Sequence, residues 1–298
     1  MILNRVMSVV LLGMLCALFI RGAEGREAGC DRPSTIRFSI IPVANVDEHF
    51  RMYQPLMQRM ERLTRQSVTI VPPTSYSSVV EGLLSGRIDV AKLGPAGYAS
   101  VSASKANILP FATVEKRAGY FQMAGQYYQS LLVTLGSSPY VSIAALRGTR
   151  LGLTDPGSTS GNLIPRKKFA PSNLGVSLEQ YFSTVSFTGG HGKSISALLN
   201  GEIDAAFLAS SQLEEALAAG VFTLPQIRIV WRSDPLPFDP FVFRGDLCAD
   251  LRAKISEAFL GAEAQAELAE MLEKLLRSAR FVPVTANHYM STRNLMSP

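Results

Sequence analysis

Three hydroxyl residues stand in a row where a turn leads into a helical pattern. Ser158, Thr159 and Ser160 follow the turn residues 155–157 and precede basic and apolar residues that favour a helix. Hydroxyl oxygens at this position cap a helix, because they accept hydrogen bonds from the unpaired amides of its first turn. Several hydroxyls together can instead hold an anion at the positive end of the helix. The segment is therefore either an ordinary helix cap or an anion site, and Pro165, which suits only a first turn, leaves both open.

Strands and helices alternate around this segment. Short β-rich runs predict strands at 37–42, 68–71 and 88–91, and apolar residues at helical spacing predict an amphipathic helix over 50–65. A further β-rich run at 150–153 leads into the hydroxyl residues. Alternation at this pace favours an α/β fold with a mainly parallel sheet.

One pattern occurs twice in the chain. Residues 83–91 read LLSGRIDVA, and residues 198–206 read LLNGEIDAA. Each predicts the end of a helix, a glycine cap and a strand that begins with Ile-Asp. Such a join is common in α/β proteins. Together with the chain length and the leader described below, however, its repetition favours two similar lobes.

Two predicted strands carry the chain between these lobes. Residues 127–134 lead to a Gly-Ser-Ser-Pro loop, and the proline-marked residues 236–244 return. The tail at 251–278, rich in Ala, Leu and Glu, is predicted to be helical and to pack on the first lobe. The predicted division, with a ligand cleft between the lobes, is lobe 1 at 33–135 plus 236–298 and lobe 2 at 136–235.

The composition indicates a globular protein without the features of a nucleic-acid binder or an enzyme. The chain has 298 residues, 47% of them hydrophobic, and a formal net charge of +5. Its basic residues are scattered and form no stripe with aromatic residues, which argues against nucleic acid as a partner. The sequence holds no GxSxG, HExxH or Walker motif. An exported phosphatase or transferase with Ser158 as nucleophile would need a base or a metal cluster that no motif supplies, so no enzyme, metal or cofactor is predicted.

The first residues have the pattern of a secretory signal peptide. Arg5 precedes an apolar run over 6–20, and small residues follow at 22–25. The run is shorter than the roughly 20 residues of a membrane span. We therefore expect residues 1–25 to be a signal peptide that is removed on export to the periplasm, with an uncleaved anchor as the alternative.

The sequence does not decide the chemical state of the two cysteines that lie after the predicted signal peptide. Cys30 and Cys248 could pair in an oxidising compartment, but their spacing gives no pattern that supports a disulfide. Cys30 also follows Ala-Gly as in a lipoprotein cleavage site. The two charged residues before that dipeptide argue against a lipid, so simple export without a lipid anchor is predicted.

Five segments, taken in order, resemble one family. They are IDVAKLGPAGY at 88–98, DPGSTSGNLIP at 155–165, FTGGH at 187–191, GEIDAA at 201–206 and IVWRSDPLPFDPFVFR at 229–244. In combination they are similar to the phosphonate-binding proteins of bacterial ABC importers, over about residues 36–254.

This resemblance implies both a fold and a function. The fold is a type II periplasmic binding protein with two lobes. The function is to capture a small phosphorus oxyanion, either a phosphonate, phosphite or phosphate, and to deliver it to a membrane permease. We expect a monomer. The alternative is a periplasmic sensor that presents the same anion to a membrane receptor.

The resemblance also implies roles for particular residues. The hydroxyl residues Ser158, Thr159 and Ser160 match those that hold the phosphonate oxygens, and the position of His191 matches a further donor to the oxyanion. The other positions that match ligand-facing residues are Tyr76, Tyr128 and Asp239, with Tyr127 as an alternative to Tyr128.

Two of these residues have ordinary alternatives. A single histidine is more often structural, but His191 lies in a Gly-Gly-His-Gly loop, where glycines would expose backbone amides that suit an anion. Asp239 could merely cap a turn. A carboxylate beside an anionic ligand is useful when it accepts a hydrogen bond from a protonated P–OH group or from a ligand ammonium.

The sequence departs from the family pattern at two positions. Ser211 stands where binders of aminoethylphosphonate carry an acid for the ligand ammonium, and the acids Glu214 and Glu215 fall later. Lys92 stands where the family often has an aromatic residue. It would add positive charge to the site if it pointed inward, but we interpret it as exposed. A compact ligand without an amine, such as phosphite, methylphosphonate or phosphate, is therefore predicted.

Overall fold

The computed structural model describes residues 29–42, 46–104 and 106–296. The predicted signal peptide lies outside these ranges. The chain divides into a short unit, Met1–Asp31, and a main unit, Arg32–Pro298, which holds the strands and helices given below. Within the described ranges no helix is both long and apolar enough to cross a membrane. Cys30 and Cys248 are both disulfide-bonded, so neither is a free thiol.

The strands form two sheets and a short two-stranded ribbon. In chain order they are β1 (Thr35–Ile40), β2 (Ser67–Ile70), β3 (Val90–Lys92), β4 (Ile108–Lys116), β5 (Tyr127–Tyr128), β6 (Ser130–Leu135), β7 (Arg150–Leu153), β8 (Thr184–Phe187), β9 (Ala205–Ala209), β10 (Ile227–Arg232), β11 (Leu236–Pro237), β12 (Phe241–Arg244) and β13 (Ser278–Pro283). The first sheet has the order β13-β4-β12-β3-β1-β2, and the second has the order β10-β6-β9-β7-β8. The ribbon pairs β5 with β11.

The α-helices connect these strands and follow the last of them. They span Val46–Met52, Gln54–Thr64, Tyr76–Leu84, Pro95–Ala103, Leu178–Tyr181, His191–Leu199, Ser210–Ala218, Ala249–Leu260, Ala262–Glu267, Ala269–Leu276 and Met290–Met296. Two wider helical segments of π type cover Thr159–Leu163 and Pro165–Leu174. The prediction of a helical tail is confirmed, although β13 follows it and extends the edge of the first sheet.

Both sheets are mixed. The predicted α/β fold is confirmed, and the runs β2-β1-β3 and β8-β7-β9 are parallel. The prediction of mainly parallel sheets is too simple, because β12 and β6 run antiparallel to β3 and β9. Each of these two strands follows the ribbon that links the sheets, so it enters its sheet without the crossover helix that parallel pairing requires.

The sequence repeat folds in the same way in both sheets. The glycines of the two copies end a helix with left-handed backbone, at φ 69° and 71°, which glycine adopts without strain. The aspartate that follows, Asp89 or Asp204, accepts hydrogen bonds from the backbone and guanidinium of an arginine on the adjacent parallel strand. These arginines are Arg37 on β1 and Arg150 on β7. In both sheets, the repeat thus ends a helix, begins a strand and bonds that strand to its parallel neighbour.

The chain passes between the sheets at the ribbon. Tyr128 pairs with Leu236, and Tyr127 pairs with Pro237. Strand β6, which the sequence pattern places in lobe 1, pairs with β9 and β10 of the second sheet. The crossing therefore lies before β6 rather than at the Gly-Ser-Ser-Pro loop. An apolar strand next to a turn carries no signal of the sheet it will join.

The central strands β6 and β9 of the second sheet are buried on both faces. Along β9, Ala206 and Leu208 belong to one apolar cluster, whereas Ala205 and Phe207 belong to another. This alternation follows from the two-residue period of a strand. A third cluster lies against the first sheet and includes Tyr98 and Tyr289. The strand ends that surround the candidate site are thus anchored in packed cores.

Candidate functional site

One cavity lies where the carboxyl ends of the parallel strands of both sheets meet. Each of β1, β2, β3, β7, β8 and β9 is followed by a segment that reaches it. In open α/β sheets, ligands bind beyond this edge of the strands. In strand order these segments contribute Ile41, Tyr76, Gly94, Ser158, His191 and Ser211 to the lining.

Five of these six residues, all except Ile41, lie at the amino ends of helices. Tyr76 and His191 are the first residues of their helices, Gly94 precedes the helix Pro95–Ala103, and Ser158 precedes the segment Thr159–Leu163. Ser211 lies in the first turn of its helix. The amino end of a helix carries partial positive charge and unpaired N–H groups. Several such ends around one cavity favour a bound anion.

The structure brings all the predicted site residues together at this cavity. The lining includes the hydroxyl residues 158–160, Tyr76, Tyr128, His191 and Asp239. Tyr127, the alternative to Tyr128, is 49% exposed and is not part of the lining. Within the ribbon, therefore, it is Tyr128 that faces the cavity.

The hydroxyl segment combines the two interpretations that its sequence leaves open. Ser158 caps the segment, because its Oγ accepts a hydrogen bond from the Gly161 amide at 3.0 Å. Thr159 Oγ1 accepts one from the amide of Ala96 at 2.8 Å, in the helix that follows β3. Ser160 is held by its carbonyl oxygen, which accepts from Ser130 Oγ at 2.6 Å. Each hydroxyl retains its proton for a further acceptor.

Two tyrosines face these hydroxyls from the other side of the cavity. Tyr76 lies near Ser158, and Tyr128 lies near Ser160 and Thr159. Burial, reinforced by the charge of Asp239, raises the pKa of both phenols far above the ordinary value. Both phenols are therefore neutral donors at physiological pH.

His191 is a neutral donor with a defined tautomer. Its Nδ1 accepts a hydrogen bond from the Ala209 amide at 3.2 Å, so the proton of the neutral ring lies on Nε2. Burial lowers the pKa of His191 to about 4. The ring thus offers one N–H to the cavity without a positive charge.

Two ion pairs lie at the cavity, and the residues that form them are called the ionic wall below. Lys92 Nζ lies 3.4 Å from Asp239 Oδ2, and Lys116 Nζ lies 3.0 Å from Glu215 Oε1. The Lys92 side chain is only 13% exposed and lines the cavity, so its interpretation as an exposed lysine is wrong. Burial opposes its charge, but the neighbouring acids, chiefly Asp239, outweigh burial and raise the pKa of Lys92. Burial raises the pKa of Asp239, which Lys92 opposes.

Glu215 is a cavity residue that was not predicted from the sequence, although helical spacing could have identified it. Ser211 lies on the helix Ser210–Ala218, so the residue one turn later on the same face is Glu215. Glu215 lines the cavity. Glu214 instead turns away and accepts a hydrogen bond from the Phe121 amide at 2.8 Å. The expectation that no acid follows Ser211 into the cavity is therefore wrong, although this acid is already paired with a lysine.

The cavity is small and polar. Its volume is about 40 Å³, and a cavity needs about 10–15 Å³ to hold one water. It could hold about three waters or a compact anion of similar size. The part of the chain that the structure describes contains no cluster of three or more metal-ligating side chains. The arrangement can bind an oxyanion through neutral donors, helix ends and a balanced ionic wall.

Comparisons with a family model and with known proteins point to the same family. A family model described as "ABC transporter, phosphonate, periplasmic substrate-binding protein" matches residues 38–289. The phosphate-import protein PhnD of Mycolicibacterium smegmatis is 28% identical over 234 residues, which cover 76% of this chain and 71% of that protein. The phosphonates-binding periplasmic protein of Escherichia coli is 26% identical over 250 residues, with 82% and 71% covered.

A solved structure gives the same fold. PhnD1 from Prochlorococcus marinus, in complex with methylphosphonate, superposes with a TM-score of 0.77 at 18% identity, covering 89% of this chain and 97% of that one. The architecture is that of a type II periplasmic binding protein. From the family match and this fold, the chain belongs to the phosphonate-binding family of periplasmic substrate-binding proteins of ABC transporters.

Proposed function

We propose that this protein captures a small phosphorus oxyanion in the periplasm and presents it to the permease of an ABC importer. The observation that carries the proposal is the gathering of hydroxyl residues 158–160, Tyr76, Tyr128 and His191 around one cavity at the amino ends of helices. These groups donate hydrogen bonds, and an oxyanion accepts them. The family description names an ABC transporter, which favours import over the sensor alternative.

The chemistry of the cavity favours binding over catalysis. His191, a possible base, has its Nδ1 engaged by a backbone amide and would act as a donor. The Asp239 carboxylate is paired with Lys92 and can accept a hydrogen bond from a P–OH group. The protein is thus proposed to be a non-enzymatic binding protein that works as a monomer after removal of residues 1–25.

The proposed mechanism is closure of two lobes, each built on one sheet. The bond from Ala96 to Thr159 joins segments that follow strands of different sheets, and Tyr76 and Ser158, which also follow strands of different sheets, both line the cavity. Such bonds would form on closure and break on opening, with bending at the β5–β11 ribbon.

A thermal-shift panel tests the proposed function. Protein stripped of ligand by unfolding and refolding would be heated with phosphite, methylphosphonate, phosphate, 2-aminoethylphosphonate or sulfate at equal concentration. A ligand that binds only the folded state raises the Tm, by roughly 5–10 °C at a hundred-fold excess over Kd. We expect the three compact phosphorus oxyanions to give the largest shifts. Absence of a shift with every phosphorus ligand, or a larger shift with sulfate, would contradict the proposal.

A further inference from the structure

The two acids at the cavity each have a lysine of their own. Asp239 pairs with Lys92, which also lines the cavity, and Glu215 pairs with Lys116, which lies behind Glu215 and outside the lining. With both lysines protonated and both acids ionised, this wall carries no net charge before any ligand arrives. Burial lowers the pKa of Lys116, and the charge of Glu215 opposes that shift.

Lys116 is fixed in its place. Its side chain is 2% exposed, and its Nζ lies 5.0 Å from the centre of the Phe238 ring, within the range of a cation–π contact. The second carboxylate oxygen of Glu215 is also engaged, because Gln212 Nε2 donates to it. Both oxygens of the Glu215 carboxylate are therefore bonded within the protein.

A positively charged ligand group would bind unfavourably next to these two ion pairs. An ammonium brought to Glu215 would have to share a carboxylate that Lys116 already neutralises. It would also add an unbalanced charge to a buried site, which is costly. A ligand that ends in a methyl group or a P–H bond needs no such partner.

Building on the proposed function, we propose that Lys116 is a specificity-determining residue that excludes phosphonates carrying an ammonium group, by acting as the built-in counter-ion of Glu215. Lys116 works through Glu215 and does not itself contact the ligand. Removal of its charge would leave a buried carboxylate that a ligand ammonium can pair with.

The test compares two ligands of matched shape. Propylphosphonate and 2-aminoethylphosphonate differ mainly in a methyl group against an ammonium, so the ratio of their Kd values, measured by calorimetry, reports the response to charge. We expect the wild type to prefer propylphosphonate. In Lys116→Met the ratio should move toward the amino ligand by roughly ten- to a hundred-fold, since a hydrogen bond to a charged group is gained.

Three variants serve as controls. Lys116→Arg keeps the charge and should keep the wild-type ratio. Lys274→Met removes an exposed lysine that pairs with Glu270, so it changes the net charge equally and should leave the ratio unchanged. Glu215→Gln leaves Lys116 without its carboxylate, and the ratio should move away from the amino ligand. This last variant tests the proposal even where Lys116→Met does not fold.

The outcomes separate this proposal from the proposed function. Methylphosphonate, titrated in the same series, reports on the function itself. Binding of methylphosphonate with unchanged ligand ratios in Lys116→Met or Glu215→Gln would overturn the role of Lys116 alone. A wild type that prefers 2-aminoethylphosphonate would also overturn it. No binding of any phosphonate or of phosphate would overturn both.

Discussion

At the scale of single residues, the cavity consists of donors that are already engaged within the protein. Ser158, Thr159 and His191 each accept one hydrogen bond from a backbone amide, which fixes their orientation. Their remaining protons are free to point at a ligand. Binding therefore requires little ordering of side chains, and less ordering leaves more of the contact energy as affinity.

Thr159 is proposed to contact the ligand, and its hydroxyl also accepts the bond that links the two sheets. We expect Thr159→Val to weaken methylphosphonate binding by about ten- to a hundred-fold, because the hydroxyl donor is lost and the Ala96 amide loses its acceptor. Calorimetry checks the change. Thr159→Ser, which keeps the hydroxyl, is the matched control and should stay close to wild type. Unchanged affinity in a folded Thr159→Val protein would remove this residue from the site.

In the state that buries His191, the stability of the protein depends on pH. Burial lowers the pKa of His191 to about 4, against about 6.5 in an unfolded chain. Between these values the unfolded chain holds a proton that the folded protein does not. The free energy of unfolding should therefore fall as the pH is lowered from about 6.5 to 4, by on the order of 3 kcal/mol.

Urea unfolding in phosphate-free buffer across this pH range measures the effect. His191→Gln removes the titrating group, so its stability should fall less steeply than that of the wild type. Parallel curves for the two proteins would show that His191 does not carry the dependence.

At the scale of elements, sequence patterns located most segments but not how they pair. Helical spacing over 50–65 and the repeated Gly-x-Ile-Asp join correspond to observed elements, because these signals are local. The antiparallel entry of β6 and β12, and the addition of β13, depend on pairing with strands far along the chain. No periodicity encodes that choice.

The candidate site shows the same contrast between local sequence signals and contacts between distant segments. All the predicted residues lie at one cavity, because most of them follow a strand whose carboxyl end lies there, whereas Tyr128 and Asp239 lie in or next to the ribbon. The ion pairs were missed because their partners come from separate segments. Lys116 ends β4, whereas Glu215 lies on a helix 99 positions later. The i, i+4 relation of Ser211 and Glu215 was the one local signal available.

The repeated join between strands predicts unequal stability effects. Asp89 is fully buried and also accepts hydrogen bonds from Arg244, whose side chain is 9% exposed. Asp204 pairs with Arg150, whose side chain is 46% exposed. Asp89→Asn should therefore cost about 3–5 kcal/mol of stability, and Asp204→Asn about 1 kcal/mol or less. Chemical denaturation of the two variants checks this. Equal losses would contradict the argument from burial.

At the scale of the whole molecule, both sheets contribute residues to the candidate site, and neither sheet could form it alone. Tyr76 and Gly94 follow strands of the first sheet, and Ser158 and His191 follow strands of the second. A site divided in this way can open and close as the sheets move, and the β5–β11 ribbon is the place where the chain passes between them.

Ligand should therefore make the molecule more compact. Small-angle scattering of stripped protein should give a larger radius of gyration than protein saturated with methylphosphonate, because closure forms the bond from Ala96 to Thr159 between the two sheets. Identical curves with and without saturating ligand would contradict hinge closure.

The most direct test of the central claim is to fill the cavity without removing any polar group. Gly94 lines it at φ −69°, which any residue adopts, and an added Cβ would lie 3.7 Å from Thr159 Oγ1, an ordinary contact. Calorimetric titration of methylphosphonate should show one site in the wild type and in Gly94→Ala, and binding weakened at least about a hundred-fold in Gly94→Leu, whose side chain occupies the space of the anion. Equal affinity in the wild type and a folded Gly94→Leu protein would place the anion elsewhere.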